Sequence, residues 1–151
     1  DELAAIIAHE LSHLRHRDQY LMHVAMFVHT TTATLGALII LATLVSLPFA
    51  LLGLAELPEF GIVVAAGLFP AISALLLLAL SRTREFAADL AAARLTGGVA
   101  PMAAALRRIT RVQGLLERFG QRRLAIPEML STHPDLDSRL EHLQRAQLQG
   151  L

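Results

Sequence analysis

Apolar side chains recur at helical spacing from Leu3 to Leu14, where they alternate with polar residues. This spacing predicts an amphipathic helix, and Asp1 and Glu2 suit its N-cap and its first turn. We expect the helix to continue through the basic residues 15–18.

Two uncharged segments follow, at residues 24–47 and 60–80. Each exceeds the roughly 20 residues that a helix needs to cross the hydrocarbon of a bilayer. Pro48 and Pro58 interrupt the stretch between them, which predicts a short connection. We therefore predict a transmembrane helical hairpin. A pair of buried core helices is the alternative, but so short a chain has little other apolar mass to surround them.

The rest of the chain returns to amphipathic patterns. Residues 82–95 predict a helix that ends at the Thr-Gly-Gly of residues 96–98, and Pro101 suits the first turn of another that reaches about Phe119. A last helix is predicted over residues 134–149. On these last two helices we expect the following side chains to face inward: Met102, Leu106, Ile109, Leu116, Phe119, Leu136, Leu140 and Leu143.

The composition supports a membrane protein. The 151 residues, about one domain, are 54% hydrophobic and 17% charged, with a mean hydropathy of +0.53, which is more apolar than an ordinary soluble domain. The formal net charge is zero, so charge predicts no nucleic-acid partner. The chain contains no cysteine, so any metal ligands must be histidines and carboxylates.

Arginines flank the outer ends of the predicted hairpin. Arg15 and Arg17 precede it and Arg82 and Arg84 follow it, whereas the connection carries only glutamates. The positive-inside rule places both arginine-bearing flanks in the cytoplasm. We therefore expect a multi-pass protein of the cell (inner or plasma) membrane, with the chemistry on the cytoplasmic side.

Residues 9–13 read His-Glu-Leu-Ser-His, the pattern H-E-x-x-H, inside the first predicted helix. Positions four apart share a helix face, so His9 and His13 can reach one metal ion. Glu10 can then contact a water bound to that metal and act as general base. The pattern predicts zinc-assisted peptide hydrolysis.

A catalytic zinc takes three protein ligands and leaves a position for water. The final histidine of the metzincin pattern is Gln19 in this chain, so Glu85 is the best remaining third ligand. Asp89 shares a helix face with Glu85 and is expected to receive the free N–H of a ligand histidine. For Glu85 taken alone, a solvated acid paired with a neighbouring arginine is the alternative. The hairpin would bring His13 and Glu85 to the same side of the membrane.

Two residues near the C-terminus are candidates for further catalytic roles. His133, in the Ser-Thr-His-Pro of residues 131–134, is a candidate donor to the oxyanion, and Arg139 could orient a nearby carboxylate. A turn histidine and a surface arginine are the plainer interpretations.

With these motifs the chain resembles the HtpX-like membrane zinc metalloproteases, whose relatives include the CAAX prenyl-protein endoproteases. The resemblance rests on residues 8–13, 81–89, 91–97 and 131–134 together with Arg139, and it spans nearly the whole chain. It implies a mainly α, membrane-integral gluzincin core: a zinc helix, a transmembrane hairpin and cytoplasmic helices, in one metallopeptidase domain at residues 1–151.

The resemblance also implies the site. One zinc ion per chain would lie on His9, His13 and Glu85, with Glu10 as general base and Asp89 behind a ligand histidine. His133 and Arg139 would stabilise the transition state or shape the cleft. The expected activity is that of an endopeptidase, held in the lipid bilayer, that cleaves membrane or membrane-proximal proteins, for example in protein quality control.

The family normally carries an Asn-containing edge strand before the zinc helix and further spans upstream, so we expect an N-terminally truncated fragment. Two other interpretations stay open. One is a non-catalytic membrane pseudoprotease or scaffold. The other is a membrane metallopeptidase of the antibiotic-sensor type, in which Arg-Asp follows the zinc helix, as Arg17 and Asp18 do here. The sequence does not determine an oligomeric state.

Overall fold

The computed structural model describes residues 1–118 and 135–149. Within these ranges the secondary structure is helical and contains no strand, so the mainly α fold is confirmed. The helices are α1 (Glu2–Arg15), α2 (Asp18–Leu51), α3 (Phe60–Leu95), α4 (Val99–Arg118) and α5 (Leu136–Leu148). The chain forms two compact units: the hairpin unit, Tyr20–Ala79, and the site unit, Asp1–Gln19 with Leu80–Leu151.

The first helix ends at Arg15, so the prediction that it continues through residues 15–18 is wrong. The ring of His16, the C-cap residue, donates from Nδ1 to the Ser12 carbonyl oxygen at 2.8 Å. Arg17 then has φ +54°, in the left-handed region that breaks a right-handed helix. The chain turns there, and α2 starts afresh at Asp18.

Helices α2 and α3 are 34 and 36 residues long, and both are long and apolar enough to cross a membrane. Only 6% of the most apolar window of each helix is buried, unlike the core helix of a soluble protein. This argues against the alternative of a buried core pair. Helix α3 also joins the predicted span at 60–80 and the predicted helix at 82–95 without a break.

Within the hairpin unit α2 and α3 approach closely at Gly36. A Cβ atom at this position would overlap the carbonyl oxygen of Ala66, so only glycine fits. On the N-terminal side of Gly36 in α2, His29 Nδ1 and Thr32 Oγ1 each lie 3.0 Å from Ser73 Oγ of α3. These hydrogen bonds satisfy polar groups that would otherwise face apolar surroundings.

The site unit packs α1 on α4 and α4 on α5. Its buried apolar side chains are Ala5, Ala8, Ala92, Ala93, Val99, Met102, Ala105, Leu106 and Leu143. Leu136 and Leu140 pack against this core, as predicted, whereas Ile109 is 39% exposed, so its predicted inward position is wrong. The side chain of Leu116 and the whole of Phe119 lie outside the described residues.

The end of α3 follows the prediction from the Thr-Gly-Gly sequence. Gly97 has φ +78°, and the Gly98 N–H donates to the Ala93 carbonyl oxygen at 2.8 Å. This is the Schellman arrangement, in which glycine supplies the left-handed residue after a helix. It reverses the chain so that α4 begins at Val99.

Candidate metal centre

The side chains of His9, His13 and Glu85 converge within the site unit, the histidines from α1 and the glutamate from α3. The two Nε2 atoms are 3.2 Å apart. Glu85 Oε2 lies 3.7 Å from His9 Nε2, and Glu85 Oε1 lies 4.0 Å from His13 Nε2. Ligands 2.0–2.1 Å from a tetrahedral zinc are about 3.3–3.4 Å apart. Small side-chain movements would therefore let all three bind one ion.

The second ring nitrogen of each histidine faces a buried aspartate. His13 Nδ1 hydrogen-bonds to Asp18 Oδ2 at 2.7 Å. His9 Nδ1 lies 3.0 Å from Asp89 Oδ1. The distance suits an ion pair, but the ring is not aligned for a hydrogen bond. An ionised carboxylate only accepts hydrogen bonds, so the nitrogen that faces it carries the proton.

This protonation leaves a lone pair on each Nε2 atom. Both lone pairs then point at the position that the Glu85 carboxylate also approaches. Electron-pair donors that converge in this way repel one another unless a cation lies between them. The donor set, two neutral imidazoles and a carboxylate, therefore fits a divalent metal such as zinc.

Each aspartate is in turn held by an arginine. Arg139 donates from Nε and Nη2 to the two oxygens of Asp89, at 2.7 and 2.5 Å, in a bidentate pair. Arg84 Nη2 contacts Asp18 Oδ1. The side chains of both aspartates are at least 94% buried, so neither charge is left to solvent alone.

These contacts set the charge of the aspartates, both of which lie outside the uncharged segments 24–47 and 60–80. Burial raises the pKa of the Asp89 carboxyl, but the hydrogen bonds and charge of Arg139, together with the His9 ring nitrogen that faces the carboxylate, outweigh burial and hold the pKa below its ordinary value. The pKa of Asp18 is lowered by the same balance, with Arg84 as the main opposing group. Both carboxylates are therefore ionised at neutral pH.

The chain matches peptidase family M48 over residues 1–147. It belongs to that family. This membership confirms the resemblance to HtpX-like metalloproteases at the level of the family. Among the described residues, His9, His13 and Glu85 are the group of ligand-type side chains that could hold a metal.

Curated relatives carry HtpX names. The chain is 43% identical to the Protease HtpX homolog of Acidiphilium cryptum, covering 72% of this chain and 36% of that protein. It is 32% identical to Protease HtpX homolog 2 of Methanosarcina mazei and 33% identical to Protease HtpX homolog 1 of Streptomyces coelicolor, over 97% and 95% of this chain. It spans about half the length of these relatives or less. No solved structure matches the chain.

The other predicted site residues of this M48 chain differ in their surroundings. Glu10 follows His9 on α1 and is exposed to solvent. Asp89 faces His9, and Arg139 pairs with Asp89 while its Nη2 lies 3.5 Å from Glu85 Oε2. The predicted catalytic residue His133 lies outside the described residues.

Sequence reasoning did not include Asp18 and Arg84 in the site. A signal was present, because Asp18 follows the second histidine of H-E-x-x-H by five residues. It became informative only with the left-handed conformation of Arg17, which no apolar spacing predicts. His142 is half-buried and stacks on Phe86, with ring centroids 4.6 Å apart.

Proposed function

We propose that this chain carries the catalytic core of a membrane-bound zinc endopeptidase that hydrolyses peptide bonds of membrane or membrane-proximal proteins. The observation that supports this most directly is the convergence of His9, His13 and Glu85. Their separations of 3.2, 3.7 and 4.0 Å are close to those that one tetrahedral ion requires. Two histidines and a glutamate are also the ligand set of known zinc peptidases.

A zinc ion on these ligands would polarise the scissile carbonyl and make a water molecule acidic near neutral pH. Glu10 adjoins His9 and is exposed to solvent, which supports access of water and substrate to its carboxylate. We assign Glu10 the role of general base: it accepts a proton from the attacking water and returns it to the leaving amine. His133 stays our candidate donor to the oxyanion, on the basis of its motif alone.

The contacts of Arg139 favour a positioning role over direct contact with substrate. Its guanidinium already donates twice to Asp89, and the Asp89 carboxylate faces His9. Arg139 would therefore act through Asp89 to hold His9 as a ligand.

We propose that the enzyme resides in the cell (inner or plasma) membrane with its active site on the cytoplasmic side. Helices α2 and α3 supply two candidate spans, and we place the membrane-crossing segments within them at residues 24–47 and 60–80. The arginines at both outer flanks support the cytoplasmic orientation. Access to membrane-embedded polypeptides from that side fits a role in protein quality control.

The test compares wild-type protein, purified in detergent, with two site variants and one control variant. Glu10→Gln should retain one zinc per chain and lose at least about 10²-fold in cleavage of casein or a membrane-protein substrate, because the general base is gone. Glu85→Gln should lose both zinc and cleavage. Glu141→Gln makes the same chemical change on the exposed Glu141 of α5 and should alter neither.

Undiminished cleavage by Glu10→Gln would contradict the mechanism. A wild-type protein that holds no stoichiometric metal and cleaves no substrate would instead point to a non-catalytic membrane scaffold.

A further inference from the structure

The two histidines of the candidate metal centre have the same kind of support. His9 faces Asp89, which Arg139 holds, and His13 faces Asp18, which Arg84 holds. Asp18 itself lies outside the motifs that define the resemblance. Its contact with His13, at 2.7 Å, is nevertheless the better aligned of the two contacts between a histidine and a carboxylate.

Asp18 connects two of the three ligand positions. Its Oδ2 accepts from His13, which is on α1, and its Oδ1 receives Arg84, which immediately precedes Glu85 on α3. The left-handed turn at Arg17 separates Asp18 from α1 and lets its carboxylate fold back on His13. One buried carboxylate thus touches a ligand on one helix and the neighbour of a ligand on another.

We propose that Asp18 is a positioning residue for the metal and that Arg84 orients it. Asp18 keeps the proton of His13 on Nδ1, which leaves the Nε2 lone pair for the ion. Arg84 occupies the other carboxylate oxygen and prevents the carboxylate from turning away from His13. This inference rests on the proposed function, because it concerns how tightly the same three ligands hold zinc.

The substitution Asp18→Asn separates this role from a structural one. Asparagine has nearly the same shape, but it offers one oxygen and one NH2 group. Arg84 has only donors, so it would take the oxygen and leave the NH2 group facing His13 Nδ1. The Nδ1 atom must then accept, and the proton moves to Nε2, where it blocks the metal; an analogous exchange puts the histidine of a serine-protease triad in the wrong tautomer.

The two roles therefore predict opposite orders of zinc affinity for the two Asp18 variants. If Asp18 sets the tautomer, Asp18→Asn binds zinc no more tightly than Asp18→Ala, although asparagine is the closer isostere. If Asp18 only fills space and stabilises the fold, Asp18→Asn is the milder change. The double variant Asp18→Asn with Arg84→Ala frees the amide to turn its oxygen toward His13. It should bind zinc more tightly than Asp18→Asn alone.

The measurement is zinc affinity of detergent-purified protein, by competition with a chromogenic chelator, together with the visible spectrum of cobalt bound in place of zinc. Asp18→Ala and Asp18→Asn should each weaken zinc binding by about 10–100-fold and alter the cobalt spectrum. Asp137→Ala is the matched control, because Asp137 is also an aspartate in the first turn of a helix but is exposed. It should match the wild type.

Wild-type affinity in Asp18→Asn, or clearly tighter binding by Asp18→Asn than by Asp18→Ala, would overturn the proposal. If Asp18→Ala does not fold, the comparison of Asp18→Asn with the double variant decides. The proposal is then overturned if the double variant binds zinc no more tightly than Asp18→Asn. Failure of the proposed function is distinct. It would show as a wild type without zinc, or as Glu85→Gln with wild-type affinity, whatever the Asp18 variants do.

Discussion

Arg139→Ala should destabilise the site unit strongly, because it leaves the charge of Asp89 buried without its main partner. The Asp89 side chain is 1% exposed and that of Arg139 is 14% exposed, and two hydrogen bonds join them. Removing one partner of such a pair typically costs about 3–5 kcal/mol. For a protein of this size, that loss lowers the thermal midpoint by roughly 6–20 °C.

The same helix supplies a matched control. Arg145 pairs with Glu141 on the surface of α5, with side chains 68% and 62% exposed. A surface pair of this kind contributes about 0.3–0.5 kcal/mol, so Arg145→Ala should shift the midpoint by no more than about 2 °C. Both variants replace arginine by alanine within α5, so their difference isolates the buried pair.

Circular dichroism at 222 nm suits the measurement, since the chain is helical and contains no tryptophan and one tyrosine. Equal midpoint shifts in Arg139→Ala and Arg145→Ala would refute the assigned ion pair. A pH series adds a second check. The lowered pKa of Asp89 contributes stability that is fully present above the ordinary carboxyl pKa and is lost as pH falls through the lower folded-state value. The difference between Arg139→Ala and wild type should therefore shrink in acid.

Three further outcomes follow from local geometry. Gly36→Leu should lower the thermal midpoint, because the new leucine side chain would overlap the Ala66 carbonyl. Gly67→Leu should not, because there is open space around the Cβ position of Gly67. Equal effects of the two substitutions would contradict the close approach of α2 and α3 at Gly36. Gly97→Ala should cost about 1–2 kcal/mol in the same assay because of its φ of +78°, and Gly61→Ala, which has no such constraint, serves as the comparison. Chelation should lower the midpoint of zinc-loaded wild type but not of Glu85→Gln; ligand linkage supplies about 4 kcal/mol at a thousandfold excess over Kd.

The approach of His9, His13 and Glu85 to one another was easier to predict from the sequence than the aspartates and arginines that contact them. His9 and His13 are four residues apart in a helix, and their shared face follows from helical geometry alone. Glu85 was the best remaining ligand once Gln19 excluded the metzincin pattern, and the structure places it 3.7 and 4.0 Å from the histidines. That these residues bind zinc stays a prediction, as do the roles of Glu10 and His133.

The contact between Asp18 and His13 was not predictable by the same reasoning. It depends on the backbone of one residue, Arg17, which adopts the left-handed conformation that residues other than glycine rarely take. Apolar spacing carries no information about such a residue. Arg84 was likewise considered only as a flank of the hairpin and as an arginine near Glu85, although its guanidinium contacts Asp18.

Helix α1 also shows why apolar periodicity predicted an element but not which of its faces is buried. Its buried residues are Ala5, Ala8, His9 and Ser12. Of its large apolar residues, Ile6 packs against the core, whereas four are more than half exposed: Leu3, Ile7, Leu11 and Leu14. Ligand atoms 3–4 Å apart on two helices require backbones that approach closely, and leucine side chains on the inner face would hold them apart. Alanine and serine permit the approach. Hydrophobic burial alone would favour the leucine face, so the geometry around His9 and Glu85 outweighs it within the described part of the chain.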